Sequence, residues 1–275
     1  MAAIFAQSAL LPETGWVRDV RLVIGEDGRI ASVSSGASAE PGDETLQNSI
    51  LLPAPANLHS HAFQRAMAGM TEFRGPSDSD SFWTWRTLMY KFLDRLDPDQ
   101  IEAIAALTYV EMLEAGYACV GEFHYLHHQP GGESYADPSE LSTRIASAAA
   151  ATGIGLTLLP VLYVYGGADK RPLAGGQLRF GCDFDRFVKL FEGATSTVAQ
   201  LPEDAAIGIA QKCEALFFIA HMLERSGKTD LAKASYQQAI DTKQEQLSAY
   251  RGAKQALKRL APADKTAVKP SETTN

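Results

Sequence analysis

The stretch ILLPAPANLHSHAFQRAMAG, residues 50–69, decides how the rest of the chain is interpreted. An apolar run at residues 50–52 leads to His59 and His61, which are separated by one residue. In a β-strand, residues i and i+2 point to the same side, so both imidazoles can bind one cation. Zinc accepts imidazole nitrogens and keeps a position open when it is catalytic. We therefore predict a divalent metal, Zn²⁺, on this pair, with two polar loop histidines as the alternative.

Upstream, residues 1–50 are expected to form short strands and turns. Two β-rich runs, residues 17–24 and 30–33, flank a turn that ends in Asp27 and Gly28. Because Asp-Gly between two such runs is a strong hairpin signal, the sequence predicts an N-terminal β-hairpin segment.

Downstream, apolar strands alternate with amphipathic helices. The sequence predicts helices at residues 97–116, 137–153 and 183–198, and strands at residues 118–123, 154–162 and 205–210. Asp97 or Asp99 can cap the first of these helices, and Gly116 ends it. This alternation is typical of parallel βα units, and a barrel or a doubly wound sheet both fit. The missing Gly-x-Gly-x-x-Gly turn after the first strand counts against a dinucleotide-binding fold.

After residue 210 the pattern changes to helices alone. They are predicted at residues 212–226, 231–242 and 246–260, and the spacing of small and aromatic residues resembles a tetratricopeptide helical hairpin. Such units are stable in arrays of about three or more repeats. The predicted domains are a β segment at 1–50, a partial barrel at 51–210, a helical hairpin at 211–260 and a disordered tail at 261–275.

Composition narrows the classes of partner and compartment. The 275 residues carry a net charge of −8, so the chain has no overall field that attracts nucleic acid or an anionic membrane. Cys119, Cys182 and Cys213 are an odd set without paired spacing, and we expect reduced thiols in a cytoplasmic protein. The sequence shows no signal peptide at its start and no apolar stretch of the ~18 residues that a membrane span needs.

Longer motifs carry a resemblance to a known family. They are NLHSHAFQRAMAG at 57–69, SFWTWR at 81–86, LMY at 88–90, EFHY at 122–125, HH at 127–128, SYADP at 134–138 and GIGLTLLPVLY at 153–163. With these motifs the chain resembles the amidohydrolase superfamily and, within it, formimidoylglutamate deiminase, from residue 1 to about 210. The resemblance implies part of a small β-sandwich, followed by a (β/α)8 barrel whose first strand ends in His-x-His.

The same resemblance assigns roles to five side chains. His59 and His61 match the two metal ligands of the first strand, and Gln64, Arg86 and Tyr125 match positions that look like substrate contacts. An amide, a guanidinium and a phenol suit a small-molecule substrate with two carboxylates and a formimidoyl nitrogen. Without the resemblance, these three residues would be interpreted as a solvated amide, a surface ion pair and a core aromatic.

Other polar and aromatic residues receive less specific interpretations. We expect His124, His127 and His128 to lie near a strand end and its loop, in contact with substrate or with nothing, and not to bind metal. His221 is expected to pack on its helix. The aromatic run at residues 82–85 is expected to be a packing plug and not a substrate lid.

The resemblance ends before the implied site is complete. It implies a third histidine, a proton-transfer histidine and an aspartate from later strands, and none of them has a match here, so the catalytic residues stay unassigned. The stretch 51–210 is also shorter than the ~250 residues of a full barrel. The predicted fold is therefore α/β: a partial (β/α)8 amidohydrolase barrel with an N-terminal β-hairpin segment and an α-helical tail.

Two functions follow from this sequence. The first is a truncated, inactive deiminase that descends from enzymes hydrolysing the formimidoyl group of N-formimidoyl-L-glutamate in histidine degradation. The alternative is a non-catalytic fusion or relic protein whose C-terminal helices bind a protein partner. A homodimer is left open for both, because an unfinished barrel has unpaired strand edges.

Overall fold

A computed structural model describes residues 2–12, 14–72, 80–200 and 216–261, except for residues 218, 222 and 226. Its backbone contacts divide the chain into two units, Met1–Pro55 and Ala56–Asn275. The strand predicted at 205–210 and the disordered tail predicted at 261–275 fall outside the described residues, apart from residue 261.

The first unit is a β-sheet. Its strands are β1 (Ala2–Leu11), β2 (Gly15–Ile24), β3 (Ile30–Ser34) and β4 (Glu44–Leu46), in the order β3-β2-β1-β4. The pairs β1–β2 and β2–β3 are antiparallel, whereas β4 runs parallel to β1. The predicted hairpin is confirmed, because Gly28 takes a φ of 77° in the turn between β2 and β3.

The second unit is built on a parallel sheet. Its strands are β5 (Ala56–Ser60), β6 (Cys119–His124) and β7 (Gly155–Pro160), in the order β5-β6-β7. The helices around it are α1 (Phe82–Leu93), α2 (Pro98–Glu114), α3 (Glu140–Thr152) and α4 (Phe184–Val198). Two 3-10 helices, Ala62–Met67 and Gly175–Arg179, complete this part. Parallel strands joined through helices confirm the α/β class and βα units.

The strand that carries the histidine pair lies later than the apolar run suggested. Residues 50–52 form no strand of this sheet; Leu51 makes only an isolated bridge to Ala9 in the first unit. The strand is β5, and it contains His59 itself, while His61 follows its last residue. The apolar run does not belong to β5 because Pro53 and Pro55 lie between them. Proline cannot donate a hydrogen bond to a neighbouring strand.

Helix ends follow the predicted capping residues. Asp97 accepts a hydrogen bond from the backbone N–H of Gln100 at 2.8 Å, and the Gln100 side chain accepts one from the Asp97 N–H at 3.2 Å. This capping box selects Asp97 over Asp99 as the cap of α2. At the other end, Gly116 has a φ of 92° just beyond the helix, as glycine does at helix C-termini.

One aromatic prediction is wrong. Phe82 and Trp83 were expected to plug the core, but each is 61% exposed at the start of α1. Only Trp85 of this group packs against the buried core. Phe82 is the first residue of α1, and its ring lies against the rings of Trp83 and Trp85 instead of entering the core.

The tail is helical where it is described. Residues 216–225 are helical at their described positions, and α5 (Thr229–Asp241) and α6 (Ser248–Leu260) follow. These helices bury their own small core, which includes Tyr236 and Ala253. Lys228 joins them to α4 through an ion pair with Asp185 at 2.6 Å. The prediction that this segment is helical is therefore confirmed at its described residues. Its likeness to a tetratricopeptide unit stays a prediction.

Within the described part of the chain, every helix falls short of the length and apolar character that crossing a membrane requires.

Candidate functional site

The two histidines of the His-x-His motif converge on one point. The Nε2 atoms of His59 and His61 lie 3.1 Å apart, and their ring centroids are 4.7 Å apart. Two nitrogens that bind one zinc ion at about 2.0–2.1 Å with tetrahedral angles are separated by slightly more than 3 Å. The pair therefore has the spacing that two ligands of one metal ion need.

Strand β6 holds both rings in place. Because a carbonyl oxygen can only accept, Nδ1–H of His61 donates to the carbonyl oxygen of Phe123 at 3.0 Å. This bond places the proton on Nδ1 and leaves Nε2 of His61 with a free lone pair. The ring of Phe123 lies against the ring of His59, at a centroid distance of 4.4 Å.

The donor set fits the metal only in part. Imidazole nitrogens oriented through their second nitrogen are typical zinc ligands. A catalytic zinc normally has three protein ligands, yet the described residues contain no group of three His, Cys, Asp or Glu side chains that could hold a metal ion. The arrangement therefore provides two converging imidazole nitrogens.

Tyr125 lies next to the histidine pair. Its ring centroid is 5.3 Å from that of His61 and 6.0 Å from that of Tyr163. Gln64 lies in the 3-10 helix that begins directly after His61, and its side chain is half-buried. Two of the three expected substrate contacts thus lie beside the motif.

Arg86 is linked to Tyr125 through a third residue. Its Nη2 donates to the hydroxyl of Tyr163 at 2.8 Å, and its Nε donates to the hydroxyl of Tyr90 at 3.1 Å. Both bonds go to phenol hydroxyls, and among the described residues no acidic side chain is paired with the Arg86 guanidinium. Tyr163 was not predicted as a site residue; in the sequence it is only the last residue of the motif at 153–163.

The second histidine cluster is part of the core. His124, His127 and His128 are each 3% exposed or less. Nε2–H of His127 donates to the carbonyl of Val161 at 2.9 Å, and Nε2–H of His128 donates to that of Gly181 at 2.8 Å. Burial lowers the pKa of His127 to about 4 and that of His128 to about 4, so both are neutral near pH 7. These hydrogen bonds link the loop after β6 to the backbone at Val161 and Gly181.

A buried carboxyl group lies behind the motif. Glu122 of β6 is 1% exposed, and its Oε1 accepts the backbone N–H of Ala62 at 2.8 Å. Burial raises the pKa of Glu122, while the hydroxyls of Ser60 and Tyr109 act in the opposite direction. Its only signal in the sequence is a charged residue inside an apolar strand.

The comparisons with known proteins agree with the motifs. The N-terminal domain of formimidoylglutamate deiminase HutF matches residues 1–47. A formimidoylglutamate deiminase from Pseudomonas aeruginosa is 55% identical over 192 residues, which are 70% of this chain and 42% of that protein. The chain thus spans less than half the length of this relative.

Solved structures show the same relationship. An amidohydrolase from Brucella melitensis is 50% identical, with a TM-score of 0.66, over 72% of this chain and 43% of that one. A variant of atrazine chlorohydrolase TrzN from Arthrobacter aurescens TC1, complexed with zinc and atraton, is 16% identical with a TM-score of 0.56. That match covers 94% of this chain and 58% of the other, and it shows the fold alone. About 70% of this chain is therefore similar to a formimidoylglutamate deiminase and to an amidohydrolase of known structure.

Proposed function

We propose that this chain carries the front part of a formimidoylglutamate deiminase site, with His59 and His61 as ligands of one Zn²⁺ ion. The observation that carries the proposal is the 3.1 Å separation of their Nε2 atoms. In the complete reaction, water adds to the formimidoyl carbon of N-formimidoyl-L-glutamate, and ammonia leaves to give N-formyl-L-glutamate. A bound metal ion would supply the acidified water for this hydrolysis.

The proposed substrate contacts are chosen by the charge of Arg86 and by the proximity of Gln64 and Tyr125 to His61. N-formimidoyl-L-glutamate has two carboxylates, and a guanidinium without an acidic partner is a suitable group to bind one of them. Arg86 has this character, and the phenols of Tyr90 and Tyr163 fix its orientation. Gln64 and Tyr125 lie near His61, where an amide and a hydroxyl would contact the formimidoyl end.

The positions of the histidines support the proposal that this chain does not turn over substrate. The sequence contains six histidines. Besides the pair, three are buried, and two of these donate to backbone carbonyls. The last, His221, stacks on Phe217 in the helical tail at a centroid distance of 6.5 Å. No histidine of this chain is thus placed to be the third ligand or the proton-transfer group.

The architecture agrees with a partial barrel. Among the described residues, the sheet β5-β6-β7 has three parallel strands, whereas a full barrel of this type has eight. We infer that residues 51–210 represent the first βα units of such a barrel, and that Thr229–Leu260 are a separate helical addition. Binding of a protein partner by these helices, a homodimer and a cytoplasmic location remain predictions.

Ammonia release and zinc content together test this function. The full chain is loaded with zinc and incubated with N-formimidoyl-L-glutamate, with a His59→Asn, His61→Asn double variant as reference. We expect zinc in the wild-type chain, none in the double variant, and equal, background ammonia in both. A His221→Asn variant is the matched control and keeps its zinc. Zinc-dependent ammonia release above the double variant would refute inactivity, and equal zinc in both would refute the metal pair.

A further inference from the structure

Glu122 makes a contact that the proposed reaction does not use. Its carboxyl group lies behind the histidine motif, 1% exposed, and its Oε1 accepts the N–H of Ala62 at 2.8 Å. Ala62 is the residue directly after His61. Burial of a carboxyl group costs free energy unless hydrogen bonds compensate, so a packing role alone would be served better by an apolar side chain.

The strand geometry explains why a side chain is needed there. Residues two apart point to the same side, so His59 and His61 face one side of the chain while Ser60 faces the other. Ser60 is paired with Glu122 across the β5–β6 ladder, but the register shifts between Asn57 and Ser60. The regular ladder therefore fails at the motif, and the Glu122 side chain provides a hydrogen bond at this point.

Ala62 is held from both directions. Its N–H is bound by Glu122 of β6, and its carbonyl oxygen accepts the hydroxyl of Thr108 of α2 at 3.4 Å. Thr108 also donates to the carbonyl of Ile104 at 2.8 Å, which makes its bond to Ala62 the weaker one. The Glu122 contact is thus the stronger constraint on the backbone that leaves His61.

We infer that Glu122 is a positioning residue for the metal-binding pair. It fixes the backbone after His61, so that Nδ1 of His61 reaches the carbonyl of Phe123 and Nε2 faces His59. The inference rests on the proposed metal pair for its effect on zinc. Its effect on the orientation of His61 is independent of metal.

Two substitutions separate the hydrogen bond from the shape of the side chain. Glu122→Gln keeps an oxygen that accepts the Ala62 N–H, and we expect zinc affinity within about threefold of wild type. Glu122→Leu keeps the volume without an acceptor, and we expect affinity to fall about 10- to 100-fold, as for other groups that orient metal ligands. Zinc affinity is measured by competition with a chromophoric chelator on the folded protein.

A second readout needs no metal. Nitrogen-15 NMR of the metal-free chain reports which ring nitrogen of His61 carries the proton. We expect the Nδ1–H form in wild type and in Glu122→Gln, and a mixture of both tautomers in Glu122→Leu. If wild type binds no zinc, the metal pair is refuted while this measurement still tests Glu122.

Ile145→Ala is the control for general loss of stability. Ile145 lies in the buried core on α3, a different element from β5 and β6, and its truncation to alanine creates a cavity. We expect lower stability and unchanged zinc affinity. Wild-type zinc affinity and tautomer in Glu122→Leu, or an equal affinity loss in Ile145→Ala, would overturn the inference. If Glu122→Leu does not fold, Glu122→Asp takes its place, since its shorter carboxylate cannot reach Ala62.

Discussion

The ring of His61 donates through Nδ1 to the carbonyl oxygen of Phe123 at 3.0 Å, so β6 orients a side chain that follows β5. The histidine pair therefore depends on the register between two neighbouring parallel strands. A change that separates these strands should disturb the pair even when it touches neither histidine.

Gly121 allows this close approach. A Cβ atom at Gly121 would lie 3.1 Å from the carbonyl oxygen of Leu58 on β5, whereas one at Gly155 would lie 2.9 Å from Cβ of Cys119, on the β6–β7 side. We predict that Gly121→Ala weakens zinc binding by about tenfold, as loss of ligand orientation does. Gly155→Ala should destabilise the fold with little effect on zinc. Competition titrations on both variants measure this, and equal affinities would contradict the prediction.

The cap of α2 gives a second prediction. Asp97→Ala removes the bond to the Gln100 N–H and should lower the free energy of unfolding by about 1 kcal/mol. Asp99→Ala removes only an exposed ion pair with Arg144, at 2.7 Å, and should cost about 0.5 kcal/mol or less. Urea denaturation of the two variants compares them. A larger loss for Asp99→Ala would show that the capping assignment is wrong.

Arg179 gives a third prediction. It is fully buried, and it donates to the backbone carbonyls of Leu93, Leu96 and His128. Burial lowers the pKa of its guanidinium, but these carbonyls compensate the charge. Arg179→Leu leaves all three without this donor, and we expect a loss of about 3–5 kcal/mol in the free energy of unfolding.

The control for this change is Arg171→Leu. The Arg171 side chain is 56% exposed and lies 3.7 Å from Asp169, which makes a weak surface ion pair. Its loss should change stability by less than about 0.5 kcal/mol. A similar small effect for Arg179→Leu would show that its three hydrogen bonds to backbone carbonyls contribute little to stability.

The buried histidines predict how stability depends on pH. Burial lowers the pKa of His127 to about 4 and that of His128 to about 4, whereas both rise to about 6.5 on unfolding. Between these values the unfolded chain binds protons that the folded chain does not, so stability falls as the pH falls from 7 to 5. We expect a loss of about 1–2 kcal/mol for each histidine. Denaturation at several pH values measures it, and His127→Gln should flatten the slope; an unchanged slope would refute this origin.

How far the sequence predicts the structure depends on the range of each interaction. Asp97 and Gly116 are local signals: Gly116 was placed correctly from the sequence, and Asp97 was one of the two candidate caps that the sequence left open. The likeness of the motifs to a known family located the His59–His61 pair. Tyr163, in contrast, accepts a hydrogen bond from Arg86, which is distant in sequence. No local sequence pattern predicts such a contact.

Glu122 has both a local signal in the sequence and a partner that only the structure reveals. A carboxylate inside the strand Cys119–His124 contradicts the apolar pattern, and that conflict could have marked it as a functional residue. Its partner, the backbone N–H of Ala62, is visible only once β5 and β6 are paired. The position of β5 itself was misjudged because an apolar run outweighed the prolines that follow it.

Zinc binding by the histidine pair is the central claim, and isothermal titration of zinc into the metal-free chain tests it most directly. We predict one ion per chain, bound weakly because two protein ligands are one fewer than a catalytic zinc normally has. We also expect that the His59→Asn, His61→Asn double variant loses this binding and that His221→Asn retains it. Equal zinc stoichiometry and affinity in the wild-type chain and the double variant would contradict the claim.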